Sequence, residues 1–153
     1  MLNFAYGSNM SLEPMRQRCP GARVLGLATL PQHRFVIMAN GYASVVPNPS
    51  REVHGILWRI NPRDLAALDA YEDVAGGLYS REMLPVISNG RPMVALVYVG
   101  AERREGAPRA GYMESVVQAA RENGLPGDYI EGLARLVPGH LSPNSASGAG
   151  ERK

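Results

Sequence analysis

Apolar residues fall in short runs over most of this chain, and the spacing between them changes from strand-like to helix-like and back. Residues 2–6, "LNFAY", form a compact apolar run suited to one buried strand, and the small or polar Gly7, Ser8 and Asn9 follow at once. "SLEPMRQRC" (11–19) predicts a short helix with Ser11 as its N-cap, ended by "CPG". "ARVLGLATL" and "HRFVIMA", separated by Pro31 and Gln32, predict two strands, and "NGY" (40–42) predicts a turn into "ASVV". "EVHGILWRI" (52–60) alternates, with Ile56, Trp58 and Ile60 on one face.

The period then lengthens. In "NPRDLAALDAYE", Asn61 is a candidate N-cap, Pro62 takes the first helical position and Asp64 lies in the first turn, while Leu65, Leu68 and Tyr71 make an apolar stripe. "DVAGGL" breaks the helix. "YSREMLPVIS" and "PMVALVYV" flank Asn89–Gly90 and predict a hairpin, with Arg91 and Pro92 expected to lengthen its loop and Pro85 expected at an edge or bulge. Helices are expected over about 109–123 and 126–136, stopped by Gly124 and by Pro138–Gly139. The polar, Gly/Ser-rich residues 141–153 are expected to be a disordered tail beyond a single domain of residues 1–140. Strands with a few interposed helices indicate an α+β domain built on a partly closed barrel.

Composition narrows the picture modestly. The 153 residues are 45% apolar and 20% charged, the balance of an ordinary globular domain. No apolar run reaches membrane-spanning length, no signal-peptide pattern opens the chain, and the single Cys19 rules out an internal disulfide, so a cytoplasmic protein is expected. A net charge of +2 is too small to indicate nucleic acid. His33, His54 and His140 lack metal-ligand spacing, and no phosphate-binding glycine motif occurs, so neither a metal nor a nucleotide is implied.

Three places remain where chemistry is conceivable. The Tyr6–Gly7–Ser8–Asn9 stretch is read either as a simple turn or as an anion site, with glycine supplying positive φ and close approach while successive amides point outward. Glu72 is expected at a helix C-terminus, where the dipole and the neighbouring Asp69 and Asp73 would raise its pKa toward that of a general base; a solvated acidic helix end is the commoner meaning of such a residue. Tyr112, at a helix start, is either packing or a hydroxyl donor, and Tyr71 is expected in the core.

Taken together and in order, "FAYGSNM", "LDAYEDVAGGLYSRE" and "YMESVVQAARENGLPGDYIEGL" resemble the γ-glutamylcyclotransferase family. The family's YGSN-plus-apolar motif matches Tyr6 to Met10, and its L-D-x-x-E motif with a following tyrosine matches Leu68, Asp69, Glu72 and Tyr79. The resemblance spans about residues 2–137 and implies a small mixed β-barrel with flanking helices. It implies cyclisation of a γ-glutamyl amine to 5-oxoproline with release of the free amine, and it implies no cofactor and no metal. A small-molecule γ-glutamyl substrate is the implied partner, and a homodimer is compatible with it. Carried over by position, Glu72 would be the catalytic acid/base, Asn3, Phe4, Ala5, Tyr6, Gly7, Ser8 and Asn9 would bind the glutamyl moiety through backbone groups, and Tyr112 would contact substrate. Asp73 stands where the family often has glycine, putting an extra negative charge in sequence beside the base. A glutathione-specific enzyme and a non-catalytic metabolite-binding or interaction domain of the same fold are the rival readings.

Overall fold

The computed structural model describes residues 1–140, and the tail at 141–153 lies outside the described residues. Among the described residues, five strands close into a barrel in the order β1-β3-β2-β4-β5. They are β1 (Leu2–Ala5), β2 (Arg23–Ile37), β3 (Ala43–Arg59), β4 (Tyr79–Ser88) and β5 (Arg91–Gly100). Neighbours are antiparallel except β1 and β5, which meet in parallel at Asn3 and Leu96, so the barrel is mixed.

The barrel is built from longer strands than the apolar runs suggest. The two runs around Pro31–Gln32 are one strand, β2, and the two runs before and after residues 47–51 are one strand, β3. The break at Pro31–Gln32 is a bulge: Gln32 takes φ +60°, and the register shifts between Pro31 and His33. A bulge bends and twists the strand without ending it, which a barrel needs at its corners. The β4–β5 turn is also tighter than expected. Asn89 and Gly90 both have positive φ, as the two-residue hairpin turn requires, and Arg91 and Pro92 already pair with Ser88 and Ile87. Pro85 lies where β4 pairs only with β5, since β2 meets β4 at Thr29–Ile87 alone, so its missing N–H costs no second ladder.

Four helices flank the barrel among the described residues. After β1 a single 3₁₀ turn, Ser8–Met10, leads into α1 (Leu12–Arg18). α2 (Pro62–Tyr71) follows β3, and α3 (Tyr112–Glu122) and α4 (Gly127–Ala134) come after β5. α2 starts as its sequence predicts: Asn61 Oδ1 accepts from the Asp64 amide at 2.8 Å while Asp64 Oδ2 accepts from the Asn61 amide at 3.0 Å. Asp64 Oδ1 also accepts from the Gly21 amide, tying the end of the α1 loop to the start of α2. Ser11 precedes α1 without a side-chain cap.

The core holds Phe4, Leu30, Ile56, Leu57, Trp58 and Leu96 from the barrel, Leu68 from α2, and Met113 and Val116 from α3. β1 is the element that carries the barrel into the Gly7 loop, and Gly55 of β3 makes its fit possible. A Cβ at Gly55 would collide with the Ala5 carbonyl oxygen and lie 2.9 Å from Phe4 Cζ. Gly55→Ala is therefore expected to destabilise the fold by about 1–3 kcal/mol, the usual cost of overpacking. Urea denaturation reads this directly, and a midpoint equal to that of the wild type would show that β1 yields freely.

Candidate active site

β1 runs out of the barrel beside β3, and the loop after it is held from beneath by two donors. Trp58 Nε1 donates to the Asn9 carbonyl at 3.2 Å, and Asn123 Nδ2, at the C-cap of α3, donates to the Met10 carbonyl at 3.0 Å. The loop's amides are left over. Its carbonyls at Gly7 and Ser8 accept from Met10 and Ser11, but the N–H groups of Gly7, Ser8 and Asn9 find no acceptor among the described residues. Successive free amides in a turn form a concavity suited to an anion. Gly7 contributes in a different way from that expected: its φ is −123°, not positive. What requires glycine is space, because a Cβ there would lie 3.2 Å from the Tyr112 hydroxyl oxygen.

A narrow recess opens between this loop and the end of α2. Residues 3–9, Glu72 and Tyr112, all named from the sequence, line it together. Ala43, Tyr79 and Tyr98 also line it, and the sequence reading assigned none of these a site role. Tyr98 sits in an apolar strand run and Ala43 is a small residue at the start of β3, so neither carries a local signal; Tyr79 is visible only as part of the family motif. Asn3 was expected to act through its backbone, yet its side chain is distinctive. Its Nδ2 donates to the Leu96 carbonyl at 3.2 Å, while its Oδ1 is buried with no hydrogen-bond partner among the described residues.

Glu72 is the C-cap of α2, and the turn after it depends on Asp73, which takes φ +50°. Aspartate tolerates this left-handed conformation, and its Oδ1 accepts from the Gly76 amide at 3.1 Å. The Glu72 carboxyl is pushed up to about 7, chiefly by burial. Two neighbours oppose the rise: the positive charge of Arg18 and the Asn9 side chain, whose Nδ2 donates to Glu72 Oε1 at 3.0 Å. These two are linked, because Arg18 Nη1 donates to Asn9 Oδ1 at 2.7 Å. The cause of the shift therefore differs from the one the sequence suggests. Asp73 is occupied by its own turn, and Asp69 accepts from Tyr98 at 2.8 Å and pairs with Arg81, which holds its carboxyl below the usual range.

The tyrosines are held as neutral hydroxyls. Burial above all pushes Tyr6, Tyr79 and Tyr112 upward, with the negative charge of Glu72 adding to it. Tyr79 donates to the Ala43 carbonyl at 2.5 Å, Tyr6 to the Tyr98 carbonyl at 2.6 Å, and Tyr112 accepts from the Ala43 amide at 3.3 Å. Tyr71 is not a core residue: it is 45% exposed, its hydroxyl lies 3.1 Å from Ser8 Oγ, and the Arg18 guanidinium stacks on its ring. Cys19 lies apart from this recess, fully buried, with burial pushing its thiol up to about 11, so it is not a nucleophile.

Known proteins resemble this chain across the same framework. The model of the AIG2-like family matches residues 52–133, which include Glu72 and Tyr112. The γ-glutamylcyclotransferase of Homo sapiens is 29% identical over 148 residues, covering 90% of this chain and 79% of that protein. AIG2-like protein D of Arabidopsis thaliana is 33% identical over 105 residues, covering 65% and 67%. A solved γ-glutamyl cyclotransferase structure superposes with a TM-score of 0.83 at 26% identity over 96% of both chains. With a closed mixed barrel, an ordered set of motifs and a family model covering more than half its length, this chain belongs to the γ-glutamylcyclotransferase/AIG2-like family.

Proposed function

We propose that this chain is a γ-glutamylcyclotransferase that converts a γ-glutamyl amino acid or γ-glutamyl amine to 5-oxoproline and the free amine. The observation that carries it is the pairing of Glu72, a half-buried carboxyl at about 7, with a loop whose Gly7, Ser8 and Asn9 amides are uncommitted among the described residues, in the walls of one recess. The naming of relatives as γ-glutamylcyclotransferases supports the same assignment.

The reaction is internal to the substrate, so it balances without water, metal or cofactor. The Glu72 carboxylate takes a proton from the substrate's neutral α-amino group as the nitrogen lone pair attacks the γ-carbonyl carbon. The carbonyl becomes a tetrahedral oxyanion, which re-forms C=O as the bond to the leaving nitrogen breaks. Glu72 returns its proton to that nitrogen. A carboxyl near 7 suits both steps, because it gives and takes protons at similar cost near neutral pH. Holding the flexible glutamyl chain in the cyclising conformation is a matter of positioning. The loop amides supply donors for the glutamyl carboxylate and the developing oxyanion. Asn3 Oδ1, a buried acceptor still lacking a donor among the described residues, suits an N–H of the neutral α-amino group.

Release of 5-oxoproline from a panel of γ-glutamyl amino acids, γ-glutamyl alkylamines and glutathione tests the assignment, without added metal or nucleotide. Absence of 5-oxoproline from the whole panel would defeat it. The pH profile tests the base: kcat/KM is expected to fall about tenfold per unit below a midpoint near 7, since only the carboxylate accepts a proton. Arg18→Met removes the charge that favours that carboxylate, so the acid limb should move to higher pH. A limb that stays in place or moves to lower pH would disconnect Arg18 from Glu72.

A further inference from the structure

A second, roomier cavity adjoins the recess. It measures about 300 Å³, and it shares Ser8, Glu72, Tyr79 and Tyr112 with the recess. Tyr42, Tyr71 and Leu78 complete its walls, with Ser115 at the edge. The role assigned to it here rests on the cyclotransferase reading, in which the leaving nitrogen must come within reach of Glu72 to recover its proton. Whatever that nitrogen carries then projects from the narrow recess into this wider space.

We propose that the cavity is the leaving-amine subsite, and that it selects γ-glutamyl amides of arylalkyl amines that bear no carboxylate and no second cationic group. Its walls are four phenol rings and a leucine, which favour flat apolar bodies by stacking and area burial. Its one ionisable carboxyl is Glu72, and no lysine, arginine or histidine lines it among the described residues. A free amino acid as leaving group would bring its carboxylate within two bonds of the nitrogen, close to Glu72, with no cation to receive it.

The guanidinium groups stacked on two of these rings do not fill that gap. Arg18 lies 3.5 Å over the Tyr71 ring and is bonded to Asn9; Arg109 lies 4.3 Å over the Tyr42 ring and donates to the Asn40 carbonyl at 3.0 Å. Both are held outside the walls rather than in them. They also weaken the case for a cationic leaving group. A tyrosine ring that already stacks with one guanidinium presents less attraction to another cation, and like charges would meet across the ring. Three of the hydroxyls nearby are engaged in hydrogen bonds: Ser115 Oγ donates to the Gly111 carbonyl, and Ser8 Oγ meets the Tyr71 hydroxyl.

Four amides separate these possibilities: γ-glutamyl-2-phenylethylamine, γ-glutamyl-phenylalanine, γ-glutamyl-1,5-diaminopentane and γ-glutamyl-ethylamine. The first two differ only in the carboxylate. The phenylethylamide is expected to show kcat/KM at least about tenfold above each of the others. Equal or higher values for the phenylalanine, diaminopentane or ethylamine compound would overturn the proposal. Tyr71→Ala is expected to cost the phenylethylamide about tenfold and the ethylamide less than about threefold, and Leu78→Ala should show the same split more weakly. Equal losses on both substrates would make these residues merely structural and overturn the subsite. If none of the four compounds yields 5-oxoproline, the cyclotransferase assignment fails separately. The same compounds are then titrated into the wild-type protein by calorimetry: tightest binding of the phenylethylamide supports the apolar cavity, and any other order, or no binding, overturns it.

Discussion

Glu72→Gln is expected to abolish 5-oxoproline release and at the same time to stabilise the folded protein at alkaline pH. Glutamine keeps the shape of the side chain and can still meet Asn9, but it cannot accept the α-amino proton or return one to the leaving nitrogen. Loss of a general acid/base alone costs about 10²–10⁴ in rate, and here one group serves both steps, so the upper end of that range is expected. The gain in stability follows from the direction of the pKa shift. Burial raises the folded-state value from 4.5 to about 7, so between those values the folded protein binds more protons than the unfolded chain. The contribution of this one carboxyl to stability is therefore fully present at low pH and is lost as pH rises through about 7, where the buried group must exist as an anion.

The full shift corresponds to roughly 3 kcal/mol, and partial solvent access reduces it to about 1–3 kcal/mol. Glutamine has no such proton to lose. The variant should exceed wild type by that margin at about pH 8, and the margin should shrink to about a quarter of it near pH 5. Urea melts at the two pH values, with turnover assayed beside them, test both halves. Turnover close to that of wild type would remove Glu72 from the chemistry. A variant less stable than wild type at the higher pH would mean that the carboxylate is well solvated or well paired, and burial would no longer explain its shift.

Gly7→Val is expected to damage the same activity by a different route. A Cβ on residue 7 comes to 3.2 Å from the Tyr112 hydroxyl oxygen and 3.8 Å from Ala43 Cβ. Alanine at this position asks Tyr112 to give by a few tenths of an ångström. Valine adds two methyl groups beyond that point, where Gly7 and Ser8 border the recess. Either Tyr112 moves, losing its contact with the Ala43 amide, or the loop does. A displacement of about 1 Å in a positioning element can cost about 10²-fold, so kcat/KM should fall about a hundredfold for valine and about tenfold or less for alanine. The carboxyl of Glu72 is untouched by the substitution, so the acid limb of the pH profile should keep its midpoint. Unchanged kcat/KM in the valine variant would contradict a loop that cradles substrate, and a shifted limb would show that Gly7 acts through Glu72.

Several features were legible locally because they depend on residues close in sequence. The Asn61–Pro62–Asp64 start of α2 forms its reciprocal cap as read, since capping is decided within about four residues. The Asn89–Gly90 turn and the edge position of Pro85 are of the same kind, each following from backbone geometry at one or two positions. Long-range closure was not legible in this way. Pro31–Gln32 reads as a break between strands, and only pairing of β2 with β3 on both sides of it turns the break into a bulge inside one strand. Tyr71 reads as part of an apolar stripe, and only the arrival of α1 with Arg18 makes it an exposed, stacked wall of a cavity.

The candidate site divides along the same line. Tyr6, Gly7, Ser8, Asn9, Glu72 and Tyr112 stand out in the sequence as ordered motifs, and motif order together with local helix and turn signals determined the fold family and the identity of the acid/base candidate. What the sequence could not determine was the environment of that carboxyl. Position in the chain points to the helix C-terminal dipole, reinforced by Asp69 and Asp73, as the cause of a raised pKa, whereas folding turns both aspartates away onto Arg81, Tyr98 and Gly76 and leaves burial, opposed by Arg18 and Asn9, as the main influence on the value. Electrostatic energy depends on distance and solvent access in space, and residues 9, 18 and 72 are brought together only when the barrel closes. Residue types and their local spacing can be read from a chain in one dimension; desolvation, the partners of a charge and the shape of the space beside it exist only in three.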